Sequence, residues 1–161
     1  MNLLIRPYAD KDLDQVVALT VPAFEPIFAS FKKLMGPKIY PIVYPDWQKL
    51  QTDLATNCCQ DPEKQTIVAE VDGNIAGFLV YILNDEEKTG EIYLLAVNPN
   101  YQNAGIGSQL NQRALGLMKA AGMKLAVVGT GGDEGHAPAR RSYEKAGFTP
   151  IPQVWYCQAL D

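Results

Sequence analysis

Apolar residues in the N-terminal part of the chain recur every three to four positions, which is typical of helices. A short apolar run at Leu3–Arg6 precedes them and predicts a strand. One helix is expected over Asp10–Thr20 and a second over Ile27–Met35, because Pro22 and Pro26 interrupt the pattern between them. The N-terminal part is therefore predicted to be mainly helical.

Turn-forming residues separate this part from one more helix. Gly36-Pro37 is expected to end the second helix, and Lys38–Pro45 is expected to be a proline-rich connection. Asp46 then predicts the cap of an extra helix. The inner face of that helix is expected to carry Trp47, Leu50, Leu54 and Cys58.

The pattern changes to strands after Asp61-Pro62. Thr66–Val71 and Asn74–Ile82 flank Asp72-Gly73, a dipeptide that favours a tight hairpin turn. Glu91–Val97 alternates with a period of two and is expected to be the third strand of this run.

Helices and strands alternate in the remainder. A long helix is predicted over Gly105–Ala121, a strand over Leu125–Thr130, a helix over Pro138–Ala146 and a last strand over Val154–Leu160. The predicted order is β-α-α, an extra helix, then β-β-β-α-β-α-β-β. The predicted fold class is α+β, with a mixed central β-sheet flanked by helices.

Composition narrows the range of partners. The 161 residues are expected to form one domain over residues 1–161. The net charge of −4 and the isoelectric point near 5.0 argue against a nucleic-acid partner, which favours a basic face. A weakly acidic chain is compatible with a cationic substrate such as an amine.

The cysteines Cys58, Cys59 and Cys157 form neither a metal-binding spacing nor an even disulfide framework. We therefore expect no metal ion and a reducing, cytoplasmic location. The first residues do not resemble a signal peptide, and no apolar run approaches the ~18 residues of a membrane span. No membrane partner is expected.

The segment Val97–Leu110 predicts an anion site. It joins an apolar strand through a polar turn to a helix, and Gly105 and Gly107 stand at the helix start. The first amides of a helix have no internal partner and lie at the positive end of its dipole. Glycines there allow a phosphate to approach closely. The third glycine of a dinucleotide site and the Gly-Lys-Ser/Thr of a mononucleotide P-loop are both missing.

Two motifs then resemble one family. Gln102–Gly107 fits Gln/Arg-x-x-Gly-x-Gly/Ala and is similar to the pyrophosphate loop of the GNAT superfamily of N-acetyltransferases, and Ala96–Tyr101 resembles its lead-in. Pro138–Phe148 resembles the second hallmark of the family, Ala-x-x-x-Tyr-Glu-Lys-x-Gly-Phe. The resemblance implies a GNAT-like fold and direct acetyl transfer from acetyl-CoA to a primary amine of a small molecule or peptide. A homodimer remains open, as do a non-catalytic acyl-CoA-binding domain and an unrelated phosphate-binding domain.

The resemblance also implies residues that contact the cofactor. The strand residues that would bond the pantetheine arm are Leu95, Ala96 and Val97. The pyrophosphate would be held by Gln102, Asn103, Ala104, Gly105, Ile106, Gly107 and Ser108. His136 stands where the family often has an asparagine that contacts the cofactor arm. It could make that contact, cap a helix or serve as a base.

Two residues are candidates for the acid–base chemistry. Tyr143 occupies the usual acid position of the family and would protonate the departing thiolate, although a core tyrosine is the alternative. Glu91 is the candidate base, because Glu91, Tyr93, Leu95 and Val97 are expected to share one strand face, where a carboxylate would be poorly solvated. An exposed glutamate at the strand entry is the alternative. The acceptor site is expected to draw on aromatic residues: Phe24, Phe28, Phe31, Tyr40, Tyr44, Trp47, Trp155 and Tyr156.

Overall fold

A mixed sheet of five strands organises residues 2–160, the part of the chain that the computed structural model describes. The strands are β1 Leu3–Pro7, β2 Lys64–Val71, β3 Asn74–Asn84, β4 Thr89–Val97 and β5 Leu125–Val128, and they lie in this order across the sheet. The first four pair in antiparallel fashion, and β5 runs parallel to β4. The α+β class with a mixed sheet is confirmed.

Four helices cover the two faces of the sheet: α1 Leu13–Val43, α2 Trp47–Gln60, α3 Ile106–Ala120 and α4 Ala137–Lys145. One core cluster joins α1 and α2 to the sheet through residues such as Val16, Ala55 and Phe78. A second cluster joins α3 and α4 to the opposite face through Leu110, Leu79 and Tyr143. Within residues 2–160, no helix is long and apolar enough to cross a membrane.

The predicted hairpin forms as expected. Asp72 and Gly73 have φ angles of 49° and 85°, and they connect β2 directly to β3. Positive φ at both central positions matches the right-handed twist of the paired strands. Ile67, Val68 and Ala69 are buried on the two faces of this central pair, so the hairpin lies at the centre of the core.

The first long helix is not divided where the sequence predicts. Pro22 and Pro26 lie inside α1, which continues past both because Leu19 before them is buried against the sheet and Phe28 after them is buried against Trp47 of α2. Tertiary burial here outweighs the local cost of proline. The break occurs at Gly36, with φ 70° and ψ −178°. Helix resumes after it, so the expectation of an irregular Lys38–Pro45 connection is wrong.

The extra helix is confirmed as α2. Asp46 caps it by accepting a hydrogen bond from the Lys49 amide at 3.1 Å. Its buried residues are Gln51, Ala55 and Cys58, whereas Leu50 is 48% exposed, so the predicted inner face is only partly correct.

The predicted last strand over Val154–Leu160 does not form, and residues 146–160 contain no regular element. Beyond five, therefore, none of the expected strands is present in residues 2–160. The segment runs toward the C-terminal end of α1, where Cys157 lies beside Met35 and Ile39, instead of along β5. Its apolar side chains Trp155 and Tyr156 are 70% and 86% exposed.

Candidate functional site

The sheet opens between β4 and β5. The two strands pair from Thr89 with Leu125 to Ile92 with Val128, where β5 ends two residues before the predicted Thr130. The rest of β4, Tyr93–Val97, has no partner on β5. An open strand edge therefore borders a wedge-shaped gap, where an extended ligand can pair with the backbone.

A bulge in β4 lies at the point where the gap begins. Val80 pairs with Leu94 and Tyr81 pairs with Ile92, which leaves Tyr93 as an extra residue. An extra residue reverses the alternation of the strand from that point. Ile92 accordingly packs on the α3 side, and Leu94 packs on the α1 side.

The bulge overturns the predicted environment of Glu91. Leu95 and Val97 pack on the α3 side of the sheet together with Ile92, so Glu91 and Leu95 do not share a face. Glu91 is exposed and pairs with Val127 in the closed part of the sheet. The expectation of a poorly solvated carboxylate is therefore wrong.

The predicted anion loop leads into the N-terminus of α3. Gly105 caps the helix in the left-handed region, with φ 75° and ψ 8°, and Asn103 also has a positive φ of 63°. The first helical hydrogen bond runs from the Gln109 amide to the Gly105 carbonyl at 3.0 Å, so the amides of Ile106, Gly107 and Ser108 precede it.

This loop is open to a ligand. Gln102, Asn103, Ala104 and Gly105 are exposed, whereas Ile106 is buried and anchors the helix start in the core. Exposed backbone at the positive end of a 15-residue helix fits a phosphate group.

The second glycine lies where three elements meet. A Cβ on Gly107 would stand 3.7 Å from Val97 Cγ2 and 3.9 Å from Ser142 Oγ. Gly107 therefore faces the end of β4 and the helix α4. The next turn of α3 carries Asn111, whose Nδ2 donates to Ser142 Oγ at 3.0 Å. Asn111 is fully buried and its Oδ1 has no hydrogen-bond partner among residues 2–160. No local pattern predicts this contact, because Asn111 and Ser142 lie 31 positions apart in the chain.

Tyr143 lies on the same side of the sheet as α3. It is 8% exposed, and its ring packs edge to face on Phe148, with centroids 5.9 Å apart. Burial raises the pKa of its hydroxyl to about 12. That hydroxyl makes no hydrogen bond to any part of the chain that the structure describes. It is therefore a protonated donor without a protein partner.

His136 lies in a hydrogen-bonded group on the other side of the sheet. Its Nδ1 is 2.5 Å from Asp133 Oδ1, and the Ser30 hydroxyl donates to Asp133 Oδ2 at 2.6 Å. Burial raises the pKa of Asp133, but the bonds from Ser30 and His136 outweigh this effect and lower it overall. Asp133 is thus held away from solvent, since its side chain is 5% exposed.

Aromatic side chains of α1 and α2 form a cluster beside His136. Phe28 stacks on Trp47 at 4.4 Å, and Phe31 stacks on Tyr44 at 5.4 Å. The His136 ring lies 5.3 Å from Phe31. Five of the predicted acceptor-site aromatics, Phe28, Phe31, Tyr40, Tyr44 and Trp47, belong to this cluster.

The three other aromatics lie elsewhere. Phe24 packs with the α1-side core, and Trp155 and Tyr156 are exposed. Only part of the predicted acceptor wall is therefore assembled in one place.

One segment connects the two sides of the sheet. The 3₁₀ turn Glu134–His136 packs on α1, and the helix α4 that follows packs on α3. His136 and Tyr143 are the two ends of this segment, so they lie on either side of the gap between β4 and β5. Among the described side chains, no three of His, Cys, Asp and Glu are grouped closely enough to hold a metal ion.

Comparisons with known proteins identify the family to which this fold belongs. A family model described as "Acetyltransferase (GNAT) family" matches residues 29–148, which is more than half of the chain. The chain therefore belongs to the acetyltransferase (GNAT) family.

Individual relatives agree with this assignment. A mycothiol acetyltransferase from Sanguibacter keddieii is 32% identical over 106 residues, which are 62% of this chain and 33% of that protein. The chain spans at most about a third of the length of the curated relatives it matches.

Solved structures share the fold. A ribosomal-protein-alanine N-acetyltransferase from Brucella melitensis biovar Abortus has a TM-score of 0.69 at 15% identity, over 98% of this chain and 99% of that one. The enzyme AAC(6')-Iy, in complex with the bisubstrate analog CoA-S-monomethyl-acetylneamine, has a TM-score of 0.64 at 14% identity, over 98% of each chain.

Proposed function

We propose that this protein is an acetyl-CoA-dependent N-acetyltransferase that acts on a primary amine of a small molecule or peptide. The observation that carries the proposal is the gap beyond Ile92 and Val128, which has the exposed helix start at Gly105 on one side and Tyr143 beside it. An open strand edge, an anion site and a proton donor are the three elements that a thioester donor requires.

The donor would lie along β4 and end at α3. The open edge at Leu95, Ala96 and Val97 would bond the pantetheine arm as an added strand. The backbone amides from Gln102 to Ser108 would hold the pyrophosphate at the positive end of the helix. The absent side chain of Gly107 leaves space between Val97 and Ser142 for this passage. The unpaired Oδ1 of Asn111 lies on the next turn and adds a buried acceptor near it.

Acetyl-CoA supplies an activated acetyl thioester. Tyr143 would donate the hydrogen bond, and then the proton, that the sulfur needs as its bond to carbon breaks. A thiol has an ordinary pKa of about 8.5, well below the value of about 12 for Tyr143. The hydroxyl therefore stays protonated over the physiological range and donates a hydrogen bond to sulfur as negative charge develops there. Because a thiolate is a weaker base than a tyrosinate, transfer of the proton itself is uphill and is completed only as solvent returns a proton to Tyr143.

The acceptor is proposed only as a primary amine. An attacking amine must be neutral, and an alkylammonium with a pKa of about 10.4 is neutral only to about one part in a thousand at pH 7. A base is therefore required, and Glu91 and His136 are the two candidates. The names of the relatives include mycothiol, ribosomal-protein alanine and an acetylneamine analog, which supports an amine acceptor in general and no single compound.

Thermal unfolding with and without acetyl-CoA tests the donor site. A ligand at about a hundred times its Kd stabilises the folded state by about 2.7 kcal/mol. We expect acetyl-CoA and CoA to raise the unfolding temperature, and ATP and NAD to raise it less, because neither nucleotide has a pantetheine arm to pair with β4. No shift with acetyl-CoA would overturn the proposal. A shift without turnover of any amine would favour the non-catalytic acyl-CoA-binding alternative.

A further inference from the structure

We propose that His136, oriented by Asp133 and Ser30, is the base that accepts the amine proton during acetyl transfer. This inference rests on the proposed function and assigns one step of it. Asp133 and Ser30 are positioning residues, since they act through the imidazole.

The hydrogen bonds fix the state of the imidazole ring. Asp133 accepts from His136 Nδ1 at 2.5 Å, from the Ser30 hydroxyl at 2.6 Å and from the Gly135 amide at 3.1 Å. A carboxylate beside Nδ1 holds the proton of a neutral imidazole on that nitrogen. The lone pair is then on Nε2, which becomes the acceptor. The arrangement therefore presents one defined basic atom.

The backbone around this group is built to hold it. A Cβ on Gly131 would lie 2.4 Å from Asp133 Oδ1 and 2.4 Å from His136 Nδ1, so only glycine allows the loop to close over the pair. A Cβ on Gly135 would lie 2.8 Å from Ser30 Cβ. Arg140 Nη1 donates to the carbonyls of Gly131 at 2.7 Å and Asp133 at 2.6 Å. The close approach at Gly135 thus packs the loop on α1, and Arg140 ties it to α4.

The position of His136 suits an acceptor base. Its ring touches Phe31, at the edge of the aromatic cluster, on the α1 side of the gap. Tyr143 is seven residues further along, which is two helical turns or roughly 10 Å. The acid and the base are then on opposite sides of the gap, so each can face a different one of the two atoms, sulfur and nitrogen, that are bonded to the acetyl carbon during transfer.

Glu91 is less suited to this step. It is exposed and pairs with Val127 in the closed part of the sheet, before the gap begins. A carboxylate in bulk water is a weak base, with an ordinary pKa of about 4.3. An imidazole accepts protons much more readily near neutral pH.

The proposed step balances as follows. The amine nitrogen forms a bond to the acetyl carbon, and the bond between that carbon and sulfur breaks with its electron pair going to sulfur. His136 Nε2 receives the proton lost by nitrogen, and Tyr143 gives its proton to sulfur. Solvent then returns a proton to Tyr143 and removes one from His136.

Charged and titratable groups surround the His136 ring. Asp133 and Arg140 come from its own segment, and Tyr44 comes from the end of α1, stacked on Phe31. Cys157 and Asp133 both act electrostatically on Tyr44. Because a base must be unprotonated to act, activity should fall at acid pH.

The chain contains one histidine, so untagged protein gives a single set of imidazole signals by NMR. Long-range ¹H–¹⁵N spectra of the wild type should show the neutral ring protonated at Nδ1. In Asp133→Asn this preference should be lost. A wild-type ring protonated at Nε2 would overturn the proposal without any knowledge of the acceptor.

Kinetics provide the second test, with spermidine, lysine, tyramine, neamine and an alanine-leading peptide as amine probes. His136→Gln should lower kcat by about a hundred-fold or more and remove the acid limb of the pH profile. Asp133→Asn should lower kcat by about ten-fold or more, and Ser30→Ala by less. Glu134→Gln, an exposed acid in the same turn, should match the wild type and is the control.

The outcomes separate the two proposals. Failure of the wild type to acetylate any probe contradicts the proposed function. Turnover by the wild type with an unchanged kcat in His136→Gln contradicts only the base. A loss of acetyl-CoA affinity at constant kcat also contradicts it, because His136 would then be a donor contact. Loss of the acid limb in Glu91→Gln, with His136 intact, would assign the base to Glu91 instead.

Discussion

Replacement of Tyr143 by phenylalanine should separate stability from catalysis. The ring packs on Phe148, and phenylalanine keeps that contact. The hydroxyl has no hydrogen-bond partner among residues 2–160, and burial raises its pKa to about 12. Removing it therefore takes away the proposed proton donor but no hydrogen bond within residues 2–160.

The expected magnitudes follow from this environment. Phenylalanine keeps the buried ring and loses no hydrogen bond within residues 2–160, so the free energy of unfolding of Tyr143→Phe should lie within about 1 kcal/mol of the wild-type value. That corresponds to about 2–4 °C in Tm for a chain of this size. Loss of a general acid lowers kcat by about 10²–10⁴, or about 2.7–5.4 kcal/mol in the barrier.

The assay combines thermal unfolding, calorimetric titration with acetyl-CoA, and release of free CoA in the presence of the amine probes. Tyr81→Phe is the matched control, because Tyr81 is also a buried tyrosine of the α3-side core, 7% exposed, with a pKa raised by burial. Only the Tyr143 variant should lose kcat. An unchanged kcat would show that Tyr143 is not the proton donor. A destabilisation larger than about 1 kcal/mol would show that its hydroxyl has a structural role.

Three further predictions follow from the same contacts. Gly105→Val should weaken acetyl-CoA binding by about ten-fold, because a branched residue at φ 75° costs about 1–2 kcal/mol. Gly116→Ala, in open space on the same helix, is the control and should bind like the wild type. Equal calorimetric affinities of the two variants would contradict this. The folded pKa of Tyr143 is raised to about 12, so its contribution to stability is complete below about pH 10 and is lost as the pH rises toward 12. Over that range, denaturant titrations should show a smaller loss of stability for Tyr143→Phe than for the wild type. Equal losses in the two proteins would exclude the effect. Gly135→Ala should lower both Tm and kcat, because its Cβ would stand 2.8 Å from Ser30 Cβ and 3.0 Å from the Ile27 backbone. An unaltered Tm would show that the loop does not pack closely on α1.

Elements governed by local sequence could be predicted. The hairpin at Asp72-Gly73 and the helix start at Gly105 depend on positive φ angles, which glycine and aspartate reveal in the sequence. The path of α1 depends instead on burial of Leu19 against the sheet and of Phe28 against Trp47, and periodicity does not report that packing. The strand expected after α4 requires a partner, and β5 is only four residues long.

The site divides in the same way. The predicted anion loop and Tyr143 each lie in a contiguous motif, so the resemblance of these motifs to the family is visible in the sequence. The bulge at Tyr93 places Glu91 and Leu95 on opposite faces of β4. The sequence alternates regularly through this strand and therefore does not reveal the bulge. The bond between Ser30 and Asp133 joins residues 103 positions apart, so no local pattern could reveal it.

Direct measurement of acetyl transfer is the most direct test of the proposed N-acetyltransferase function. Untagged protein is incubated with acetyl-CoA and each amine probe, free CoA is measured, and the amine product is analysed by mass spectrometry. We expect release of CoA that depends on an amine and matches the amount of N-acetylated product. The rate should fall strongly in Tyr143→Phe and stay at the wild-type value in Tyr81→Phe. Binding of acetyl-CoA with no amine-dependent release of CoA, for any probe, would contradict it.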